Sequence, residues 1–340
     1  MPADIHDVLL PDLPIIDPHH HLWDLDPAKV PDVLRSLPTK RYLLDEILVD
    51  IGTGHRIVAT VGVEAGAFYR ADGPPELRSV GETEFFNGIG AMSASGRYGD
   101  SRVCAGIVGK TDLSVGTAAA RAIEAHMTAG GERFRGFRQS GATDPSSDVP
   151  QAPSRPPLGL YGSTGFRRGV AELAKRHLTF DAWLFHPQLS DVGALARDNP
   201  ELQIVLNHAG TPLGVGPYAG REGSVFALWR QAMSALADYP NVSVKLSGLA
   251  MVYCGLDPAD GTAPLAERLA DRWRPWVLAC IDIFGPSRCI FASNFPADGR
   301  ACDYRTLWNV FKLIAAGWSQ EDRADLFHRT AARIYRIDLP

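Results

Sequence analysis

The sequence predicts an α/β protein, a single (β/α)8 barrel of the TIM type over residues 1–340, with long loops after its strands and a C-terminal closing helix. Three observations carry this. Eight short apolar, β-branched runs recur along the chain, and segments of helical periodicity separate most of them. The first run ends in DPHHH, where an open, doubly wound sheet would carry a Gly-rich phosphate loop.

The runs are LPIID (13–17), IVATVGVE (57–64), RVCAGIVG (102–109) and FRGFRQ (134–139), then LTFDAWLF (178–185), LQIVLNH (202–208), VSVKLSG (242–248) and RCIFASN (288–294). Near-continuous apolar strands suit a parallel sheet buried on both faces. TAAARAIEAHM, FRRGVAELAKRH and LAERLADRWRPWVLACIDIF have helical spacing between them, and EDRADLFHRTAARIYRI reads as the amphipathic closing helix. Two long loops are expected, at 140–159 and from Phe68 to Pro75. Residues 69–88 read as an insertion forming a lid or pocket wall over strand two.

Composition narrows the class. The chain is 45% hydrophobic and 21% charged with net charge −5, and no basic stripe points to nucleic acid. No apolar run approaches the roughly 20 residues that span a bilayer. MPADIHDVLLPDLP lacks the basic start and apolar core of a signal peptide, and the five cysteines form no C-x-x-C pair. A cytoplasmic protein with reduced, mostly buried thiols is expected, as a monomer or homodimer that takes a small-molecule substrate.

Barrels of this type place their chemistry at the C-terminal strand ends. Strand one delivers Asp17, His19, His20 and His21. Strand alternation places Asp17, His19 and His21 on one face and turns His20 outward. Two imidazoles on one face can grip one cation, so His19 and His21 are candidate metal ligands. Strand two offers Glu64, with Tyr69 beyond it. Strand four offers Arg138 and Gln139, where a guanidinium fork suits a substrate carboxylate; Arg133 and Arg135 read as rim ion pairs. Strands five and six lead to His186 and His208. Strand seven supplies Ser247 and Lys245, the latter as a buried partner for a carboxylate. Strand eight ends in Ser293, Asn294 and, farther out, Asp298. Trp23 and Trp183 are candidate pocket walls. His6, His55, His126, His177 and His328 lie in tail, loop or helix contexts without catalytic signature.

Histidines after strands one, five and six resemble the amidohydrolase superfamily. The motifs IIDPHHHLWD, FRGFRQ, FDAWLFHPQL, IVLNHAGTP, VSVKLSGL, IFASNFP and TAARIYRI follow one another over nearly the whole chain. They resemble the amidohydrolase 2 branch of metal-dependent barrel hydrolases, which includes L-fuconolactonase, L-rhamnonolactonase, 4-sulfomuconolactone hydrolase and 2-pyrone-4,6-dicarboxylate lactonase. The resemblance implies a divalent metal, zinc or manganese, although some members of the branch work without one. It maps the family's ligands onto His19, His21 and His186, with His208 after strand six, and the family's acid after strand eight onto Asn294. An amide cannot act as a base, which leaves Asp298, Glu64, His186 and His208 for that role.

The expected activity is hydrolysis of a small, oxygen-rich, anionic lactone. His186 and His208 shuttle the proton, Asn294 bonds the water or oxyanion, and Arg138 orients an anionic substituent. Glu64, Tyr69, Gln139 and Trp23 complete the substrate site. An amide or cyclic imide hydrolase, a non-oxidative decarboxylase and an inactive sugar-acid-binding barrel are the alternatives.

Overall fold

Eight parallel strands follow one another in chain order: β1 (Ile15–His20), β2 (Ile57–Val63), β3 (Arg102–Gly109), β4 (Phe134–Arg138), β5 (Thr179–Ala182), β6 (Ile204–Leu206), β7 (Val242–Leu246) and β8 (Cys289–Phe291). All eight runs expected from the sequence are strands. The computed structural model describes residues 7–26, 28, 30, 35, 37, 39–258 and 265–338, so His6 falls outside it. The ring closes where Asn294 N–H donates to the His19 carbonyl (2.8 Å) and His21 N–H to the Phe295 carbonyl (2.7 Å). This closure ties the strand-one histidines to the strand-eight asparagine through backbone alone.

Helices α1 (Leu44–Ile51), α2 (Val80–Ala94), α3 (Ala120–Gly130), α4 (Thr164–Ala174), α5 (Leu189–Asp198), α6 (Glu222–Ala237), α7 (Leu265–Phe284) and α8 (Tyr304–Ile314) form the outer layer. Capping side chains fix several starts: Ser163 Oγ accepts from Phe166 N–H at α4, and Asp303 from Thr306 N–H at α8. Helix α2 takes up much of the stretch expected to be an insertion, because its glycines disguise a helical segment. A Cβ at Gly81 would meet the Phe68 carbonyl at 2.5 Å, so glycine here permits close packing rather than marking a loop.

The closing helix runs from Gln320–Ala324 through a π turn (Asp325–Arg329) to Thr330–Tyr335. Its Ala331, Ile334 and Tyr335 pack with Ile16, Val61 and Ile290, in the barrel interior. Above this apolar plug the interior turns polar. Tyr335 Oη donates to Asp181, which also pairs with Lys245 Nζ at 2.6 Å. Lys245 is therefore the buried partner of a carboxylate, and it leads up to the site. All five cysteines are free and buried. No helix among the described residues is long and apolar enough to cross a membrane.

Candidate active site

Pro18 decides how strand one presents its histidines. Proline has no N–H for the ladder, and the register between β1 and β2 slips between Asp17 and His20. The slip reverses the side-chain parity set by Ile16. His19 and His21 face the site, and His20 turns back to Thr60 (2.8 Å) and Cys104. Asp17 does not share the histidines' face, contrary to the alternation argument. Its carboxylate accepts from Ser293 Oγ (2.6 Å) and from Tyr304 of α8 (3.0 Å).

Arg138 and Glu64 form a buried pair at the ends of β4 and β2. Arg138 Nε donates to Glu64 Oε1 (2.7 Å), Nη2 to the Glu64 carbonyl (2.5 Å), and Nη1 to His19 Nε2 (3.2 Å). Burial alone would raise the Glu64 carboxyl; Arg138, helped by Lys110, outweighs it and holds the group below its ordinary value. The clamp uses three of the guanidinium's five N–H groups and leaves two for the cavity that Arg138 lines. Trp183 lies over it, 5.6 Å from ring centroid to Cζ. Arg138 is thus a fixed cation at the centre of the site.

His208 follows β6 on a strained turn. His208, Ala209 and Thr211 have φ of 57°, 49° and 41°, a region that costs L-residues of order 1–3 kcal/mol each and recurs at functional sites. The His208 ring lies 4.7 Å from that of His19, and its Nδ1 is 3.0 Å from Ser247 Oγ. Gly248 makes room for it: a Cβ there would meet His208 Cγ at 2.5 Å. Burial, then Arg138 and Lys245, keep the His208 ring neutral, with its pKa well below the ordinary histidine value. His21 is held near 3 by burial and Arg138, with its Nδ1 on the Val63 carbonyl (2.9 Å).

Asn294 takes φ of 53°, a left-handed conformation that asparagine tolerates. Its Nδ2 donates to Asp298 Oδ1 (2.9 Å), which fixes the amide, and its side chain also reaches His21. Asp298 sits behind Asn294 and accepts from Gly248 N–H (2.9 Å); burial raises its carboxyl to about 7.

These groups converge on a cavity of about 280 Å³ lined by His21, Trp23, Glu64, Arg138, His208 and Asn294. Its walls add Trp183, Met251, Tyr253, Lys110 and Arg300, and the 140–159 loop contributes Ser140, Pro153 and Ser154. The remaining candidates lie elsewhere. His186 falls outside this lining; its Nδ1 accepts from Leu213 N–H (3.1 Å) and its ring packs on Tyr218. Gln139 is spent on Leu113 N–H (2.8 Å) and Asp112. Tyr69 is 38% exposed and outside the lining, close to Glu64 and Glu82. Arg135 instead donates to the backbone of the closing helix, at the Tyr335 and Arg336 carbonyls.

Comparison with known proteins places the chain. The amidohydrolase profile (Amidohydro_2) matches residues 16–337. The chain belongs to the amidohydrolase family. It is similar to an uncharacterized protein of Sinorhizobium fredii (34% identity, 96% of this chain and 99% of the other) and to an L-fucono-1,5-lactonase of Burkholderia multivorans (28%, 96% and 97%). Among solved structures it is similar to an amidohydrolase of Burkholderia multivorans with bound zinc (TM-score 0.72, 27% identity, 95% and 99% coverage).

The donor set of this amidohydrolase does not fit a resident divalent ion. Zinc takes imidazole or carboxylate atoms at about 2.0–2.2 Å, or thiolate sulfur at about 2.3 Å, and no cysteine is among the described lining residues. Both ring nitrogens of His19 already face cationic donors, Arg138 Nη1 at 3.2 Å and Lys245 Nζ at 3.3 Å. A dication there would stand against two buried positive charges. Asn294 brings no charge, Glu64 is spent on Arg138, and Asp298 on Asn294 and Gly248. Among the described residues no group of three or more His, Cys, Asp or Glu side chains is arranged to hold a metal. The expected zinc or manganese therefore does not match the donors that this site presents. Elemental analysis after dialysis should give clearly substoichiometric metal, and activity should survive chelation. One zinc per chain, lost on His21→Ala, would overturn this.

Proposed function

We propose that this amidohydrolase opens a small, oxygen-rich lactone by direct attack of water at the barrel mouth. The observation that carries the reading is Arg138: a buried guanidinium, clamped by Glu64, with unspent N–H groups facing a cavity lined by neutral histidines. The similarity to a lactonase over almost the full length of both chains supports it.

The roles follow from the hydrogen bonds. Arg138 receives the lactone carbonyl oxygen and stabilises the negative charge that develops on it; preorganised donors of this kind are usually the largest catalytic contribution. Asn294, with its N–H turned to Asp298, presents its carbonyl oxygen as an acceptor for one water proton. With Nδ1 on Ser247, His208 Nε2 accepts the other as the water oxygen bonds to the carbonyl carbon. The tetrahedral intermediate collapses by breaking the ring C–O bond, and the His208 imidazolium returns its proton to the departing ring oxygen. The product is a hydroxy acid, whose carboxyl releases one proton to solvent. Asp298 acts through Asn294 and is a positioning residue.

A panel of sugar-acid and unsaturated lactones, followed by acid release in weak buffer, tests the reading. Hydrolysis of at least one class, lost on Arg138→Met and strongly reduced on His208→Ala, is expected. Near wild-type turnover in both variants would sink the assignment of the site.

A further inference from the structure

The charge around the cavity is the reverse of the protein's. The chain carries net −5, yet among the described residues the lining holds three cations, Lys110, Arg138 and Arg300, against one carboxylate, Glu64. Two of the three are committed. Arg138 is clamped by Glu64, and Arg300 donates to Asp257 (3.0 Å) and the Ala250 carbonyl (2.6 Å). Lys110, the residue directly after β3, is half-buried, and no hydrogen bond or ion pair engages its ammonium among the described residues.

The acids whose field Lys110 feels are all engaged otherwise. Glu64 holds Arg138. Asp112 accepts from Ser114 N–H (2.9 Å) and from Gln139. Glu82 accepts from Ala65 (2.8 Å) and Ala67 (3.0 Å) N–H under the loop after β2, and burial raises its carboxyl to about 8, so it is largely uncharged at neutral pH. A second unspent donor lines the same cavity: Trp23 Nε1 is buried with no partner among the described residues. The walls around these donors are Trp23, Trp183, Tyr253, Met251 and Val252. They offer apolar and aromatic faces for a flat ring.

Resting on the lactonase reading above, we infer that Lys110 is the anion anchor of this site. Its substrate is a flat, unsaturated lactone carrying a carboxylate, with the carboxylate on the Lys110 ammonium and the ring between aromatic walls. Arg138, expected from the sequence to bind that carboxylate, serves the carbonyl instead.

The test uses two probe pairs on the intact protein. Ring opening is followed for 2-pyrone-5-carboxylate against its methyl ester, and binding is measured by calorimetry for isophthalate against isophthalamide, which have no lactone to open. Wild type should prefer each carboxylate by roughly ten- to a hundredfold, the value of one charge-assisted contact. Lys110→Met should abolish the preference and Lys110→Arg should keep most of it, with melting temperatures confirming that both fold. Isophthalate binding that depends on Lys110, without turnover of any lactone, would leave the anchor standing and remove the lactonase reading alone. Isophthalate bound equally by wild type and Lys110→Met, or not bound by wild type, would overturn the anchor whether or not lactones are opened.

Discussion

Replacing Arg138 by methionine is expected to lower kcat/KM by roughly 10²–10³-fold, the usual cost of removing one preorganised oxyanion donor. It is also expected to destabilise the fold by about 3–5 kcal/mol, because Glu64 is left charged and buried without its partner. The two effects have different origins and are separable. Both side chains are less than a tenth exposed, and the pair is held by two hydrogen bonds. Adding Glu64→Gln to Arg138→Met removes the stranded charge, so the double variant should recover most of the stability in urea denaturation and none of the activity. Activity near wild type in Arg138→Met would remove the guanidinium from the mechanism. Equal stability of single and double variants would show that Glu64 is not the stranded group.

The sequence displays this architecture because apolar strands and amphipathic helices each need only local pattern to be recognised. The site is legible where it depends on strand ends alone. His19, His21, Arg138, His208 and Asn294 all line or border one cavity, as their positions after β1, β4, β6 and β8 imply. The misplacements have local causes. Strict alternation puts Asp17 with the histidines, but a proline two residues before His20 breaks that alternation. The apolar WLF reads as a continuation of β5 up to His186, but that strand stops at Ala182. Trp183 and Phe185 are apolar because they pack beneath the mouth with Met251 and Tyr253, not because they extend the sheet. Lys110 follows β3 directly, but a lone lysine after an apolar run carries no pattern that separates it from an ordinary solvated rim charge. The engagement of Arg138 by Glu64 depends on side chains 74 residues apart, and no local pattern announces it.

His208→Ala is expected to cost roughly 10²–10⁴-fold in kcat, the range for a positioned general base. Gly248→Ala should cost nearly as much without touching the imidazole chemically. Its Cβ would stand 2.5 Å from His208 Cγ and Nδ1, at a φ of +68° that alanine adopts poorly. The pH profile then identifies which group limits the rate on the acid side. Burial, followed by Arg138, depresses the His208 pKa, so the ring stays in its basic form throughout the neutral range and contributes no limb there. Asp298 is shifted the opposite way, to about 7, chiefly by burial. Below that pH it is protonated and no longer a full acceptor for the Asn294 amide, and the amide loses its fixed orientation toward the water. kcat/KM should therefore rise with pH through about 7. In Asp298→Asn the limb should vanish while a lower, flat rate remains. A limb near 7 that persists in Asp298→Asn would assign it to another group and return His208 to the candidates. A flat wild-type profile would mean that Asn294 keeps its orientation without the charge behind it.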